Sequence, residues 1–116
     1  MIKMKKSQKE LVSIDDFTKI DIRIGKIKEV EIVPNSNKLF KMVIDIKEKE
    51  LQCVAGLRDY YTADKLKNKL VPLIINLEPA KIRGVKSEGM LLAAQDKNKV
   101  KILTPEEDVE VGAIVR

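Results

Sequence analysis

Between Lys81 and Ala94 the chain reads Lys-Ile-Arg-Gly-Val-Lys-Ser-Glu-Gly-Met-Leu-Leu-Ala-Ala, three cations and two glycines feeding into an apolar run. The charged groups of Lys81, Arg83 and Lys86, with the Ser87 hydroxyl, are donors at a spacing that suits an extended anion such as a phosphate backbone. An apolar strand behind such a loop holds it in fixed geometry and spares the ordering cost of a free tail. Proton-transfer and covalent chemistry are poorly supplied. The chain has no histidine, which removes the usual general base, the commonest metal ligand and the partner of a Ser or Cys nucleophile. The single cysteine, Cys53, falls in an apolar strand pattern, has no disulfide partner within the chain, and reads as a small buried hydrophobe. These residues point to binding rather than catalysis, with no cofactor and no metal expected.

Composition bounds the rest. The 116 residues suffice for one domain with a modest core, and 44% hydrophobic content is ordinary for a globule. Twenty-three Lys plus Arg against eighteen Asp plus Glu give a net charge of +5, the moderate excess expected of a protein that meets a polyanion. The apolar stretches 71–77 and 90–94 are far too short to span a membrane, and the lysine-rich start lacks the apolar centre of a signal peptide, so a cytoplasmic protein is expected.

The elements that must position the loop follow from periodicity. Residues 1–13, with Lys3, Lys5, Lys6 and Lys9, read as a basic N-terminal arm, and residues 14–116 as the folded domain. Ser13 before Ile14-Asp15-Asp16-Phe17 predicts one capped helical turn with Phe17 packed inward. Ile20, Ile22 and Ile24 alternate with polar residues, then Gly25 interrupts and Ile27 appears on the opposite phase, which predicts a long first strand with a bulge. Pro34-Asn35-Ser36-Asn37 ends it. Phe40 to Ile46 and Leu51 to Ala55 make a second and third strand about the Lys47–Glu50 hairpin. The segment Arg58 to Lys69 is the one longer helical candidate, with Thr62 as N-cap. Val71 to Leu77 make a fourth strand, with Pro72 at its beginning or on an exposed edge, and Met90 to Ala94 the fifth. Val100 and Ile102 continue the alternation after an Asp96-Lys97-Asn98 turn, and Val109, Val111, Ile114 and Val115 close the chain. The expected class is all-β, a five-stranded OB-fold barrel with a short helix between strands three and four and small terminal extensions.

The blocks Ile14-Asp15-Asp16-Phe17, Asp21-Ile22-Arg23-Ile24-Gly25, Pro34 through Leu39, Val54-Ala55-Gly56 with Tyr60-Tyr61, Lys81 through Met90 and Leu103-Thr104-Pro105 are similar, in order and spacing, to the tRNA-binding OB domain family. That family includes the C-terminal domain of bacterial methionyl-tRNA synthetase and free-standing small tRNA-binding proteins. The resemblance implies structure-selective binding of tRNA at the outer corner of the folded molecule. It places the family's Ser-x-x-Met element on Ser87 and Met90, phosphate contacts on Lys81, Arg83 and Lys86, and a second wall of the groove on Asn35 and Lys38. Asn37 departs from the aspartate commoner in the family. Without the resemblance, Ser87 reads as well as a turn cap, and Met90 is read as core in preference to an exposed position. The few aromatics, Phe17, Phe40, Tyr60 and Tyr61, supply a poor stacking platform for unstructured strands.

Free-standing members of the family are typically homodimers, and Ile14, Phe17, Val109, Val111 and Ile114 provide apolar surface for such a seam, or equally for closing the barrel. The resemblance further implies a partnership with methionyl-tRNA synthetase, to which this domain would deliver tRNA in trans. Related OB proteins resemble secretion chaperones that bind unfolded polypeptide in a dimer groove. That alternative favours a less cationic loop than Lys81, Arg83 and Lys86 make.

Overall fold

Period-two alternation of Ile, Val, Leu and Met against charged residues builds an antiparallel meander that curls on itself. The computed structural model describes residues 9–116, so most of the basic arm read over residues 1–13 lies outside the described residues. The elements are α1 (Ile14–Phe17), β1 (Ile22–Ile32), β2 (Phe40–Asp45), β3 (Glu50–Ala55), α2 (Ala63–Leu66), β4 (Leu70–Ile74), β5 (Ala80–Ile82), β6 (Val85–Ser87), β7 (Met90–Leu91), β8 (Ala93–Asp96), β9 (Lys99–Ile102) and β10 (Ile114–Val115). Strand order β3-β2-β1-β4-β7 makes a nearly closed five-stranded barrel of the OB type. Two hairpins, β5–β6 and β8–β9, form separate two-stranded sheets. The core gathers Ile27, Met42, Ile44, Ile46, Leu66, Val71 and Leu73.

The long first strand organises the barrel. Its first half pairs β4 on one flank, from Ile22 opposite Ile74 to Lys26 opposite Leu70, while its second half pairs β2 on the other. β10 lies against Ile22 and Arg23, the stretch that β2 leaves uncovered. The register break expected near Gly25 falls instead between Ile27 and Glu29, where Lys28 is the extra residue.

Other expectations shift for physical reasons. Phe17 is 46% exposed rather than packed inward, because the four-residue α1, capped by the Ser13 hydroxyl accepting from Asp16 N–H at 3.0 Å, buries none of its residues. The helical candidate 58–69 contracts to four residues around buried Leu66. Asn68 adopts φ 70°, and its N–H donates to the Ile27 carbonyl at 2.7 Å, so the chain leaves the helix to join β1. Thr62 stands at the N-cap without a side-chain cap bond. β4 stops at Ile74, and the polar Asn76 pins the start of β1, accepting from Asp21 N–H at 2.8 Å and donating to the Lys19 carbonyl at 2.7 Å. Pro72 is buried within β4 opposite Ile24, where it is tolerated because β7 reaches only Leu73 and Ile74. The apolar run 90–94 divides into β7 and β8, and β8 leaves the barrel to pair β9.

Gly112 has φ 91°, and a Cβ there would stand 2.8 Å from the Ile46 carbonyl oxygen. Gly112→Ala is therefore expected to destabilise the domain by about 1 kcal/mol or more, read as a lowered urea midpoint.

Candidate functional site

The cationic run folds as a two-stranded ribbon. In β5–β6, Lys81 lies directly opposite Lys86, Ala80 opposite Ser87 and Ile82 opposite Val85. Arg83 and Gly84 turn the corner with φ 52° and 77°, both positive as a type I′ turn requires. Asn or Gly would hold such a corner with less strain than Arg, yet the tip carries a guanidinium. Side chains alternate faces along each strand, so Lys81 and Lys86 share one face while Ala80, Ile82, Val85 and Ser87 share the other. Lys81, Arg83 and Lys86 are all exposed, and none is ion-paired with a carboxylate among the described residues.

What aims this ribbon is the closure of the barrel. Between β3 and the β6–β7 link no regular ladder forms; side chains substitute for it. The Ser87 hydroxyl, buried, accepts from Val54 N–H at 3.0 Å and donates to the Gly89 carbonyl at 3.2 Å. Glu88 grips Gln52 twice, its N–H donating to the Gln52 carbonyl at 2.7 Å and its carboxylate accepting from Gln52 N–H at 3.0 Å. The Gln52 amide in turn donates to the Lys86 carbonyl at 2.7 Å. The sequence reading offered Ser87 as a donor to phosphate or as a turn cap, and the geometry is that of the cap. Cys53, sandwiched in the same seam, is buried, and desolvation pushes its thiol pKa up.

The second wall comes from the turn after β1. Lys38, Leu39, Ser36 and Asn37 face Arg83 and Ile82 across a cleft of about 410 Å³, so the structure brings Lys38 and Arg83 to opposite sides of one groove. Asn35 takes a left-handed φ of 64° and is exposed, but does not line this cleft. Arg58, which sequence reasoning passed over, braces the turn: its guanidinium donates to the Ser36 carbonyl and its N–H to the Lys38 carbonyl at 3.2 Å. Glu88 and Gln52 were likewise missed. They meet across 36 positions of sequence, and neither carries a periodic signal. Met90, at the start of β7, is 47% exposed while its neighbour Leu91 is buried, so the thioether faces outward beside the hairpin rather than into the core. Chemically, the assembly offers three exposed cations on one ribbon, an exposed thioether and a groove.

Residues 22–114 match the family described as "Putative tRNA binding domain". The methionine–tRNA ligase of Archaeoglobus fulgidus is 49% identical over 111 residues, which are 96% of this chain and 17% of that protein. The chain thus spans under one fifth of the length of the curated relatives it matches. Among solved structures, the MetRS related protein from Pyrococcus horikoshii superposes with a TM-score of 0.87 at 34% identity, covering 93% of this chain and 100% of that one. The CsaA chaperone protein from Picrophilus torridus does so with a TM-score of 0.84 at 32% identity, covering 91% and 100%.

Ser87→Ala leaves the buried Val54 N–H without its acceptor, at a cost of about 1–3 kcal/mol. Urea unfolding should show that loss, and hydrogen exchange at Val54 should speed up.

Proposed function

Because the chain belongs to the tRNA-binding domain family, we propose that it grips the outer corner of folded tRNA by shape and backbone, as a non-catalytic, free-standing homodimer in the cytoplasm. The observation that carries this reading is the Lys81–Lys86 pair. Like charges directly opposite on a ribbon repel, and here no carboxylate among the described residues relieves them. A polyanion laid along that face removes the repulsion and gains a contact from Arg83 at the tip, where the groove to Lys38 opens. Ser87 and Glu88 hold the ribbon, Met90 lies against a base, and Asn35 shapes the turn that presents Lys38. Recognition by backbone and shape suits a fold with few exposed aromatics.

Dimerisation would double the cationic surface and reward simultaneous contacts. Its seam is the apolar surface at the chain ends, where Phe17 and Ile20 line one cleft and Leu103 and Val109 an adjoining one, with Ile114 in both. Ile14 and Ile114 are 72% and 69% exposed, an amount of apolar surface that a second copy would cover. The likeness to part of methionine–tRNA ligases supports a role beside such a synthetase, presenting tRNA in trans. A second reading, capture of unfolded polypeptide, draws on the likeness to the CsaA chaperone protein.

A salt series separates the two. Phosphate neutralisation makes affinity fall steeply with salt. Replacing Lys81, Arg83 and Lys86 together by Ala should flatten the log–log slope for tRNA by about two to three units in an electrophoretic or anisotropy titration. An unchanged slope rejects the assigned ribbon, and tighter binding of an unfolded peptide than of tRNA favours the second reading. For the seam, Ile114→Asp should shift sedimentation from dimer to monomer while leaving the circular dichroism of the barrel intact.

A further inference from the structure

Beneath the β5–β6 ribbon, on the face away from its lysines, a second cleft of about 290 Å³ opens between the apolar side of the hairpin and β7. Leu77, Ile82 and Met90 give it apolar walls, and Leu77 and Met90 remain 43% and 47% exposed. An apolar slot beside exposed cations suits a single unstacked base whose phosphates lie at the tip and outer face of the ribbon. The polar content of the slot is unusual. Ser87 has already directed its hydroxyl to the Gly89 carbonyl, so no lining side chain offers an uncommitted donor. Of the lining side chains, those left to meet a polar ligand edge are acceptors, the carboxylates of Glu78 and Glu88. Glu88 has one oxygen on Gln52 N–H. Glu78 is exposed and in no ion pair among the described residues.

Carboxylates beside a polyanion site weaken general attraction, so their place at this mouth calls for a ligand edge rich in donors. The geometry points to a base-selective pocket: the slot takes an unpaired base, and Glu78 selects guanine over uracil. Guanine presents an imino and an amino donor side by side, matching the fork of a carboxylate. Uracil flanks its one imino donor with two carbonyl oxygens that a carboxylate repels. Adenine and cytosine, with one amino group each, fall between. This deepens the tRNA-binding reading and rests on it.

The test uses the full chain and RNA stem-loops that differ in one unpaired loop nucleotide, guanosine, uridine or an abasic site, titrated by fluorescence anisotropy at low salt. The guanosine stem-loop should bind at least about fivefold tighter than the uridine one, with the abasic one no better than uridine. Glu78→Gln should bring the guanosine-to-uridine ratio close to one; the ratio cancels the general gain in attraction from removing a negative charge. Met90→Ala should weaken guanosine relative to abasic. Equal binding of all three stem-loops, or a preference that survives Glu78→Gln, overturns the pocket while leaving tRNA binding standing. Salt-independent or absent binding of every RNA removes the tRNA reading and the pocket with it.

Discussion

The seam between β3 and the β6–β7 link is the constraint on which the rest depends. A five-stranded sheet curled into a barrel leaves two edges to satisfy, and an unpaired edge is both unstable and open to aggregation. Here β3 offers Gln52 and Val54, and Glu88 and Ser87 take their backbone groups in place of a ladder. Side-chain closure needs only a few residues of contact. The chain before Ser87 is therefore free of the main ladder, and the β5–β6 ribbon forms a two-stranded sheet of its own, held against the β3 edge.

Holding the ribbon against the β3 edge fixes where its charges stand. Single exposed lysines contribute little, since water and salt screen them and their side chains are costly to order. Lys81 and Lys86 are held at one register position, Arg83 is fixed at a strained corner, and Lys38 is held opposite by the brace from Arg58. The ordering that a ligand would otherwise have to impose is done when the barrel folds.

The two faces of the ribbon divide the work by chemistry. Alternation puts cations on the outer face and Ala80, Ile82 and Val85 on the inner one, where Ala80 and Ile82 line the clefts shared with Met90 and Lys38. An apolar surface also remains exposed where α1 and β10 meet. Ends that a small core cannot absorb remain outside, available to a second copy.

Much of the fold was legible because apolar periodicity reports local geometry directly. The meander of β1, β2 and β3, the position of the short helix and the fifth strand at Met90 followed from alternation and turn residues. The cationic cluster was equally plain, since Lys81, Arg83 and Lys86 lie close in sequence. Inward packing of Phe17 and the length of the helix after Arg58 were misjudged because each depends on what lies across space: one turn of α1 has no core to reach, and Asn68 must hand the chain to Ile27. The roles of Ser87, Glu88, Gln52 and Arg58 rest on contacts between residues distant in sequence, which carry no period. The sequence by itself determined that a barrel would form and that a basic segment would lie in it. Only the tertiary structure decided that Ser87 faces inward and Met90 outward, because that choice is made by the β3 edge, whose unpaired Val54 N–H claims the serine hydroxyl.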